Sequence, residues 1–402
     1  MPTAFTMAAA GPILFGDGRL DELAEALDGY AAPATRAPVM VVADRALVTL
    51  GVVERVERML ESGSRPAVLA APIEGEPHTD TIDAIARLAE NQGIGAIVAL
   101  GGGAAIDAAK LAAVVIGGSR PVIDYALGAR DIPAAGLPVV AIPTTAGTGA
   151  EVTRTAVASA PDGEKLWFWG DALLPVLSIL DGRLTSTLPE TLTAWTGMDA
   201  CTHALEAATS ARTTAPARAF GLSALDLLAR FLPRAVADGQ DSEARGQVLW
   251  AATLAGRAIE QCGTHLGHNI GHALGSLARV HHGHATALGL EAALPWLVSG
   301  AEDTAREDFA NAARALGGAR EAEALPSTFS DLMRAAGIPA SLPDAAAHLD
   351  EATIAATMRR PANAPMLASS PRPADLDDVA MLAARVAALR PAPAVGQVSP
   401  TA

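Results

Sequence analysis

The chain of 402 residues predicts an α/β fold in its first half and an all-α fold in its second half. Short apolar strands alternate with helices up to about residue 188, a pattern typical of a parallel sheet covered by helices on both faces. From Pro189, which suits the first position of a helix, only helical periodicity follows. We therefore expect an α/β domain over 1–186 and an all-helical domain over 187–390.

The predicted elements follow in chain order. The five apolar runs that we interpret as strands are 39–42, 67–70, 96–100, 139–142 and 176–180. Helices are predicted between them at 46–61, 79–91 and 104–116, the second with Ile82, Ile85, Ala86 and Ala89 on one face. The clearest helices of the second half are 215–236, 243–262, 285–297 and 375–389. The segment 391–402, rich in Pro and Ala, is predicted to be a disordered tail.

Composition excludes several classes of partner. The formal net charge is −15 and no basic block is present, so we expect no nucleic-acid partner. Two cysteines exclude a disulfide scaffold and favour reduced thiols in a cytosolic protein. The N-terminus has no pattern of a secretory signal, and apolar stretches are broken before the ~20 residues that span a bilayer. These features predict a cytoplasmic protein without a membrane partner.

A run of three glycines at 101–103 closes a predicted strand and opens a helix. Such a turn lets the backbone approach a pyrophosphate, which the helix N-terminus then binds through free N–H groups. A tight turn without a ligand is the alternative. Asp107 and Lys110 lie in the first turns of that helix, and a plain surface position is an equal alternative for Lys110. The pattern favours a Rossmann-like dinucleotide-binding domain.

Two further loops follow predicted strands of the same sheet. Asp44, just past the first strand, can bind ribose hydroxyls and reject a 2′-phosphate, which favours NAD over NADP. Ordinary turn chemistry is the alternative for this residue. The loop 143–153 contains Thr144, Thr145 and Thr148, whose hydroxyls can bind a cofactor lying against the backbone. A flexible loop of Gly and Thr is the alternative there.

The second half contains a concentration of metal-ligand residue types. Asp199 and His203 are four residues apart, as are His268 and His272, and this spacing places each pair on one face of a helix. His282 follows, and six of the nine histidines lie between 265 and 284. Each histidine alone is more often structural, but the joint pattern predicts one divalent metal held by two helices and a following loop. Mixed carboxylate and imidazole ligands suit Fe(II), Zn(II), Mn(II) or Ni(II).

These motifs together resemble the iron-containing, or group III, alcohol dehydrogenase family over about residues 10–390. The segments that carry the resemblance are GGGAAIDAAK (101–110), PTTAGTGAEVT (143–153), GMDACTHALE (197–206), HNIGHALGSLARVHHG (268–283) and SPRP (370–373), the last similar to the family's Asn-Pro-Arg element. The resemblance implies a dehydroquinate-synthase-like fold whose active site is the cleft between the two domains. It also implies a homodimer.

The resemblance assigns roles to matching positions. Metal ligands would be Asp199, His203, His268 and His282, and His272 would be a catalytic proton relay beside the nicotinamide. Cofactor contacts would be Asp44, Gly102, Gly103, Asp107, Thr144, Thr145, Thr148 and Lys165. The implied cofactors are NAD, with NADP less favoured, and Fe²⁺, with Zn²⁺ or another divalent metal as the alternative.

Some positions depart from the family pattern. Ala104 stands where a Ser is usual, and Ser370 where the Asn of the C-terminal element is usual. Near the expected substrate wall, Ile259 and Thr155 replace an aromatic residue and an Asn of some relatives. His284, directly after His282-Gly283, is also unusual. These differences bear on the substrate and leave the reaction class unchanged.

The reaction that this set implies is reversible hydride transfer between nicotinamide and a small primary alcohol or aldehyde, with the metal as Lewis acid. An alternative is a reductase of an anionic oxo substrate such as maleylacetate, for which Arg154 and Arg257 could receive the anion. A sugar-phosphate lyase would need a basic phosphate cluster in the helical half, where Lys is scarce. A binding module without turnover is the non-enzymatic alternative.

Overall fold

The computed structural model describes residues 4–7, 9–30, 37–118 and 120–389. Within them it confirms the predicted fold class, since a parallel α/β part is followed by a part built only of helices. The last strand ends at Leu180 and the first long helix begins at Glu190. The predicted tail 391–402 lies outside the described residues.

The first part contains a six-stranded sheet and a separate hairpin. Its strands are β1 (Ile13–Phe15), β2 (Val39–Ala43), β3 (Ala67–Leu69), β4 (Ala96–Gly101), β5 (Val139–Pro143), β6 (Thr155–Ser159), β7 (Lys165–Trp169) and β8 (Leu177–Leu180). The sheet has the order β1-β8-β5-β4-β2-β3 with every pair parallel, while β6 and β7 form an antiparallel pair. The central strands are buried throughout, which explains their uninterrupted apolar runs.

Helices cover both faces of this sheet. They are α1 (Leu23–Asp28), α2 (Arg45–Thr49), α3 (Val52–Ser62), α4 (Thr79–Asn91) and α5 (Gly103–Gly118). The single helix predicted over 46–61 is wrong, because the chain divides it into α2 and α3. Gly51 between them has φ 71°, a left-handed conformation that ends a helix and that glycine adopts without strain.

The second part contains no strand among residues 181–389. Its helices are α6 (Glu190–Thr209), α7 (Ala215–Ala237), α8 (Ser242–Cys262), α9 (Leu266–Ala278), α10 (His282–Ser299), α11 (Asp303–Ala315), α12 (Leu325–Ala335), α13 (Glu351–Met358), α14 (Ala364–Ala368) and α15 (Leu376–Ala388). The four helices predicted as clearest are all present. However, α10 begins at His282 rather than at 285, so His282 lies in the first turn of a helix and not in a loop.

The loop after β5 joins the two parts through close backbone contacts. A Cβ added to Gly147 would lie 2.9 Å from the carbonyl oxygen of Thr196 in α6. A Cβ added to Gly149 would lie 2.5 Å from the Cα of Gly256 in α8, and Gly149 itself has φ 64°. Because no side chain separates these backbones, the carboxyl edge of the sheet lies directly against the helices of the second part.

Candidate metal and cofactor site

Three helices bring a carboxylate and two imidazoles to one point, and two of these three side chains are buried. Asp199 comes from α6, His268 from α9 and His282 from the start of α10, and their possible ligand atoms lie within 4.8 Å of one another. Nε2 of His268 is 3.7 Å and Nε2 of His282 is 3.5 Å from Oδ1 of Asp199. The structure therefore brings together three of the four ligands predicted from the sequence.

The fourth predicted ligand, His203, lies at the edge of this cluster. Its Nδ1 is 3.9 Å from Oδ2 of Asp199, and its ring stacks on that of His268 with 4.3 Å between centroids. It is outside the group of three whose ligand atoms are mutually close. Its role as a ligand stays a prediction. The distance of its ring from Asp199 is compatible with that role.

Two ring nitrogens of the cluster lack a hydrogen-bond partner among the described residues. They are Nδ1 of His203 and Nε2 of His268, both buried. Unpaired buried polar atoms are rare in folded proteins because losing water without a replacement is costly. Together with the Asp199 carboxylate, these nitrogens are a donor set that a divalent metal would satisfy. The residues present therefore fit the metal that the sequence predicts.

Burial keeps the imidazoles of His268 and His282 neutral. Removal from water lowers the pKa of His268 to about 3, with a further contribution from His203. The pKa of His282 is also held well below its ordinary value, first by burial and then by the positive charge of Lys165. Neutral imidazole is the form that binds a metal, so the site needs no proton release at neutral pH.

His272 lies beside this cluster. Its ring centroid is 6.4 Å from that of His268 and 5.6 Å from that of His282. Burial and then the charge of Lys165 lower the pKa of His272 to about 3, while a hydrogen bond to the Asn363 side chain raises it. Its position agrees with the predicted proton relay, which stays a prediction.

Residues without a predicted role support the cluster. The Thr286 hydroxyl donates to Oδ1 of Asp199 at 3.1 Å. A Cβ on Gly283 would lie 2.1 Å from the carbonyl oxygen of Trp195, so only glycine lets α10 pack against α6 here. This explains in physical terms why a glycine follows His282.

The glycine turn and two other loops form an edge of the sheet next to the cluster. Oδ2 of Asp44, after β2, accepts a hydrogen bond of 2.7 Å from the backbone N–H of Gly102, after β4. A Cβ on Gly103 would lie 2.8 Å from the Thr148 side chain, and one on Gly102 would lie 3.1 Å from Oγ1 of Thr145. We call this group, with Thr144, the cofactor edge.

The cofactor edge comes together because β2, β4 and β5 are neighbouring parallel strands whose carboxyl ends meet there. The buried Thr144 donates its backbone N–H to the carbonyl oxygen of Gly101 at 2.9 Å. The absence of side chains on the glycines lets the Thr145 and Thr148 side chains approach the backbone at the start of α5. The predicted contacts with a cofactor stay predictions.

Asp107 and Lys110 form an internal pair. Oδ2 of Asp107 accepts from the N–H of Val157 at 2.9 Å, and Nζ of Lys110 lies 3.4 Å from its Oδ1. Lys110 is 1% exposed and donates to the carbonyl oxygens of Ala150 and Thr153. The surface alternative for Lys110 is therefore wrong, because this lysine ties α5 to the loop after β5. Burial raises the pKa of Asp107 to about 6, and its contact with a cofactor stays a prediction.

Two other cationic side chains with predicted roles, Lys165 and Arg154, form ion pairs. Nζ of Lys165, in β7, lies 3.1 Å from Oε2 of Glu76. The guanidinium of Arg154 contacts Glu260 through Nε and Asp171 through Nη1, the latter at 2.8 Å. Two carboxylates therefore hold the first arginine that we considered for an anionic substrate.

Comparison with known families shows to which family the chain belongs. Residues 10–182 match the family model described as iron-containing alcohol dehydrogenase, and residues 193–386 match the C-terminal model of the Fe-containing alcohol dehydrogenase family. The chain belongs to the iron-containing alcohol dehydrogenase family. The resemblance predicted from the motifs is thereby confirmed.

Individual relatives agree with this assignment. The chain is 32% identical over 305 residues, 75% of each chain, to long-chain-alcohol dehydrogenase 1 of Geobacillus thermodenitrificans. Its structure is similar to the archaeal halo-thermophilic Red Sea brine pool alcohol dehydrogenase (TM-score 0.87, 26% identity, 96% and 99% of the two chains). It is also similar to sulfoacetaldehyde reductase from Bifidobacterium kashiwanohense in complex with NAD⁺ (TM-score 0.85, 26% identity, 96% and 99% covered).

These findings make the protein an alcohol oxidoreductase of the iron-containing alcohol dehydrogenase family. Its substrate is accordingly a small molecule of the alcohol or aldehyde class. None of the helices in the described part of the chain is long and apolar enough to cross a membrane.

Proposed function

We propose that the protein interconverts a small primary alcohol and its aldehyde, using NAD and a divalent metal held by Asp199, His203, His268 and His282. Fe²⁺ is the ion that we expect, with Zn²⁺ as the alternative. The observation that supports this proposal most is the unpartnered Nε2 of His268, buried 3.7 Å from the Asp199 carboxylate. The helix carrying that carboxylate packs against the loop of the cofactor edge.

The preference for NAD rests on Asp44. One carboxylate oxygen is anchored by the N–H of Gly102 at 2.7 Å, which fixes the group at the end of β2. A fixed carboxylate there accepts a hydrogen bond from a ribose hydroxyl and repels the phosphate of NADP. Gly102, Gly103, Asp107, Thr144, Thr145, Thr148 and Lys165 are the other proposed cofactor contacts.

The chemistry divides between the bound groups and the chain. A divalent metal supplies a Lewis acid that stabilises negative charge on a substrate oxygen, and the dinucleotide supplies the redox chemistry. The side chains of the cluster would hold that metal next to the loop of the cofactor edge. His272, kept neutral by burial, is the group that we propose takes up or releases the alcohol proton.

A reductase of an anionic oxo substrate such as maleylacetate is the second candidate. The similarity to a sulfoacetaldehyde reductase favours it, because the substrate in that protein's name carries a sulfonate. The pairing of Arg154 with Glu260 and Asp171 weighs against it, because the guanidinium charge is already neutralised.

One set of rate measurements separates these candidates. The purified protein is loaded with Fe²⁺ without oxygen, and NADH consumption is followed with butanal, maleylacetate and sulfoacetaldehyde. The proposal predicts the highest kcat/KM with butanal and the loss of this rate on chelation. A higher kcat/KM with either anion would replace the first candidate with the second, and no rate with any of the three would overturn both. The homodimer and the cytoplasmic location stay predictions, and light scattering tests the first.

A further inference from the structure

Glu206 is a fully buried carboxylate on the helix that carries the metal cluster, with 0% of the residue exposed. Asp199, His203 and Glu206 follow one another in α6 at the spacing of a single helix face. The face that presents two of the proposed ligands therefore presents a third acidic or basic group one turn further along. The proposed reaction gives this group no role.

The carboxylate of Glu206 caps the N-terminus of α9. It accepts hydrogen bonds from the backbone N–H groups of His265 at 2.9 Å, Gly267 at 2.6 Å and His268 at 3.3 Å. These are the N–H groups that the start of a helix leaves without partners, and the helix dipole favours a negative charge there. A Cβ on Gly267 would lie 2.9 Å from Oε1 of Glu206, so glycine at this position permits the approach.

The same carboxylate also contacts a proposed ligand directly. Oε2 of Glu206 lies 2.7 Å from Nδ1 of His268. An ionised carboxylate can only accept a hydrogen bond, so Nδ1 of the neutral imidazole is the nitrogen that carries the proton. Nε2 of His268 then presents a lone pair. This is the buried atom without a partner, 3.7 Å from Oδ1 of Asp199.

We propose that Glu206 is the positioning residue of the metal site. It fixes the tautomer and the ring orientation of His268, and through the helix cap it fixes α9, which carries His268, against α6, which carries Asp199. This inference rests on the proposed function, since it concerns the same metal. Carboxylates that orient a metal-binding histidine in this way commonly contribute about 10–100-fold to metal affinity.

If Glu206 were only a helix cap, its substitution would have a different effect. Its loss would lower the stability of the fold and leave the affinity of the folded protein for the metal unchanged. A positioning residue changes that affinity even at temperatures where the variant is fully folded. The metal dissociation constant, measured separately from the thermal transition, therefore distinguishes the two roles.

Glu206→Gln is the main variant. The amide keeps the size of the side chain but has one acceptor oxygen, which the N–H groups of Gly267 and His268 engage. Its NH₂ group then faces Nδ1 of His268, which has to become an acceptor and move its proton to Nε2, where a metal would bind. We expect the dissociation constant for Co²⁺ or Zn²⁺, measured by competition with a chromophoric chelator, to rise about 10–100-fold.

Two further variants are compared with Glu206→Gln. Asp308→Asn is the matched control, since Asp308 is a buried carboxylate of α11 that binds Arg218 through two hydrogen bonds of 2.6 and 2.8 Å and touches none of the cluster. It should lower the melting temperature and leave the dissociation constant unchanged. Glu206→Asp keeps the charge with a shorter reach, and its affinity should fall between those of the wild type and Glu206→Gln.

The outcomes separate this inference from the function on which it rests. If folded Glu206→Gln binds the metal within twofold of the wild type while His268→Ala has lost it, the positioning role is overturned and the metal site stands. If His268→Ala binds the metal as the wild type does, the site itself is wrong and the inference falls with it. Should Glu206→Gln not fold, Glu206→Asp decides, because wild-type affinity in that variant also contradicts the role.

Discussion

The metal cluster and the cofactor edge lie next to each other, but they differ in whether their polar atoms have hydrogen-bond partners. In the cluster, Nδ1 of His203 and Nε2 of His268 are buried without partners among the described residues. At the cofactor edge, Asp44 is bonded to the N–H of Gly102, and the nearby Asp107 and Lys110 are bonded to each other and to backbone groups. The named nitrogens of the cluster are therefore unpaired among the described residues, whereas the named groups of the other region are paired within the protein.

This difference indicates how each region binds. The cluster would bind a metal through buried ring nitrogens that have lost water and have no other hydrogen-bond partner among the described residues. Removing one of these side chains should therefore weaken metal binding. The glycines of the cofactor edge instead permit close packing, because a Cβ on Gly102 would lie 3.1 Å from the Thr145 side chain and one on Gly103 would lie 2.8 Å from the Thr148 side chain. Adding atoms should therefore harm the cofactor edge, and removing atoms should harm the cluster.

The largest expected effect is that of His268→Ala. The substitution removes Nε2, a ligand atom without a partner among the described residues. We therefore expect loss of bound metal and a fall in kcat/KM of about 10³-fold or more, since Lewis-acid stabilisation contributes several kcal/mol. Metal content and NADH-linked rates measure the effect. Far-UV circular dichroism controls for folding, and full turnover after chelation would refute the ligand assignment.

The next largest effect is expected for Gly103→Ala, which adds one carbon atom at the cofactor edge. Gly103→Ala would place its Cβ 2.8 Å from the Thr148 side chain, and overpacking of this kind costs about 1–3 kcal/mol. We expect the dissociation constant for NAD⁺ to rise about 10–100-fold with metal affinity unchanged. Gly246→Ala is the matched control, because a Cβ on this helical glycine meets nothing within 4 Å. Equal NAD⁺ affinity in both variants would count against the proposed edge.

A smaller effect is expected for Asp44→Asn. The amide oxygen can still accept from the N–H of Gly102, while the negative charge that repels a 2′-phosphate is gone. We expect the ratio of kcat/KM for NADP to that for NAD to rise about 10-fold, equivalent to about 1.4 kcal/mol. An unchanged ratio, measured with one alcohol at fixed ionic strength, would show that Asp44 does not select the cofactor.

The smallest effect concerns the pH dependence of stability. Burial lowers the pKa of His272 from 6.5 to about 3, so between these values the unfolded chain binds more protons than the folded protein. The free energy of unfolding contributed by this group therefore falls as pH decreases through that window. Melting temperatures of the metal-free protein between pH 7 and pH 5 should drop less steeply in His272→Asn than in the wild type. Parallel slopes would contradict the lowered pKa.

The sequence predicted those features that depend on local spacing. The four-residue separations of Asp199 from His203 and of His268 from His272 predicted shared helix faces, and α6 and α9 contain them. The buried strands were equally visible as apolar runs. The break at Gly51 was visible only as a glycine, since sequence alone does not show that its φ is positive.

Apart from the convergence of Asp199, His268 and His282, features that depend on contacts between distant segments were not predicted. Glu206 lay within a recognised motif, but its role requires the N-terminus of α9 to face α6, which no local pattern shows. Its position one turn after His203 on the same helix face was the available signal. The burial of Lys110 and the contact of Asn363 with His272 likewise follow from packing between segments far apart in the chain.

The most direct test of the central claim is anomalous diffraction from crystals grown with Co²⁺ and NAD⁺. We predict one strong metal peak at bonding distance from Asp199, His203, His268 and His282, with the nicotinamide in the cleft beside it. A metal peak elsewhere, or none with NAD⁺ bound at the cofactor edge, would contradict the account.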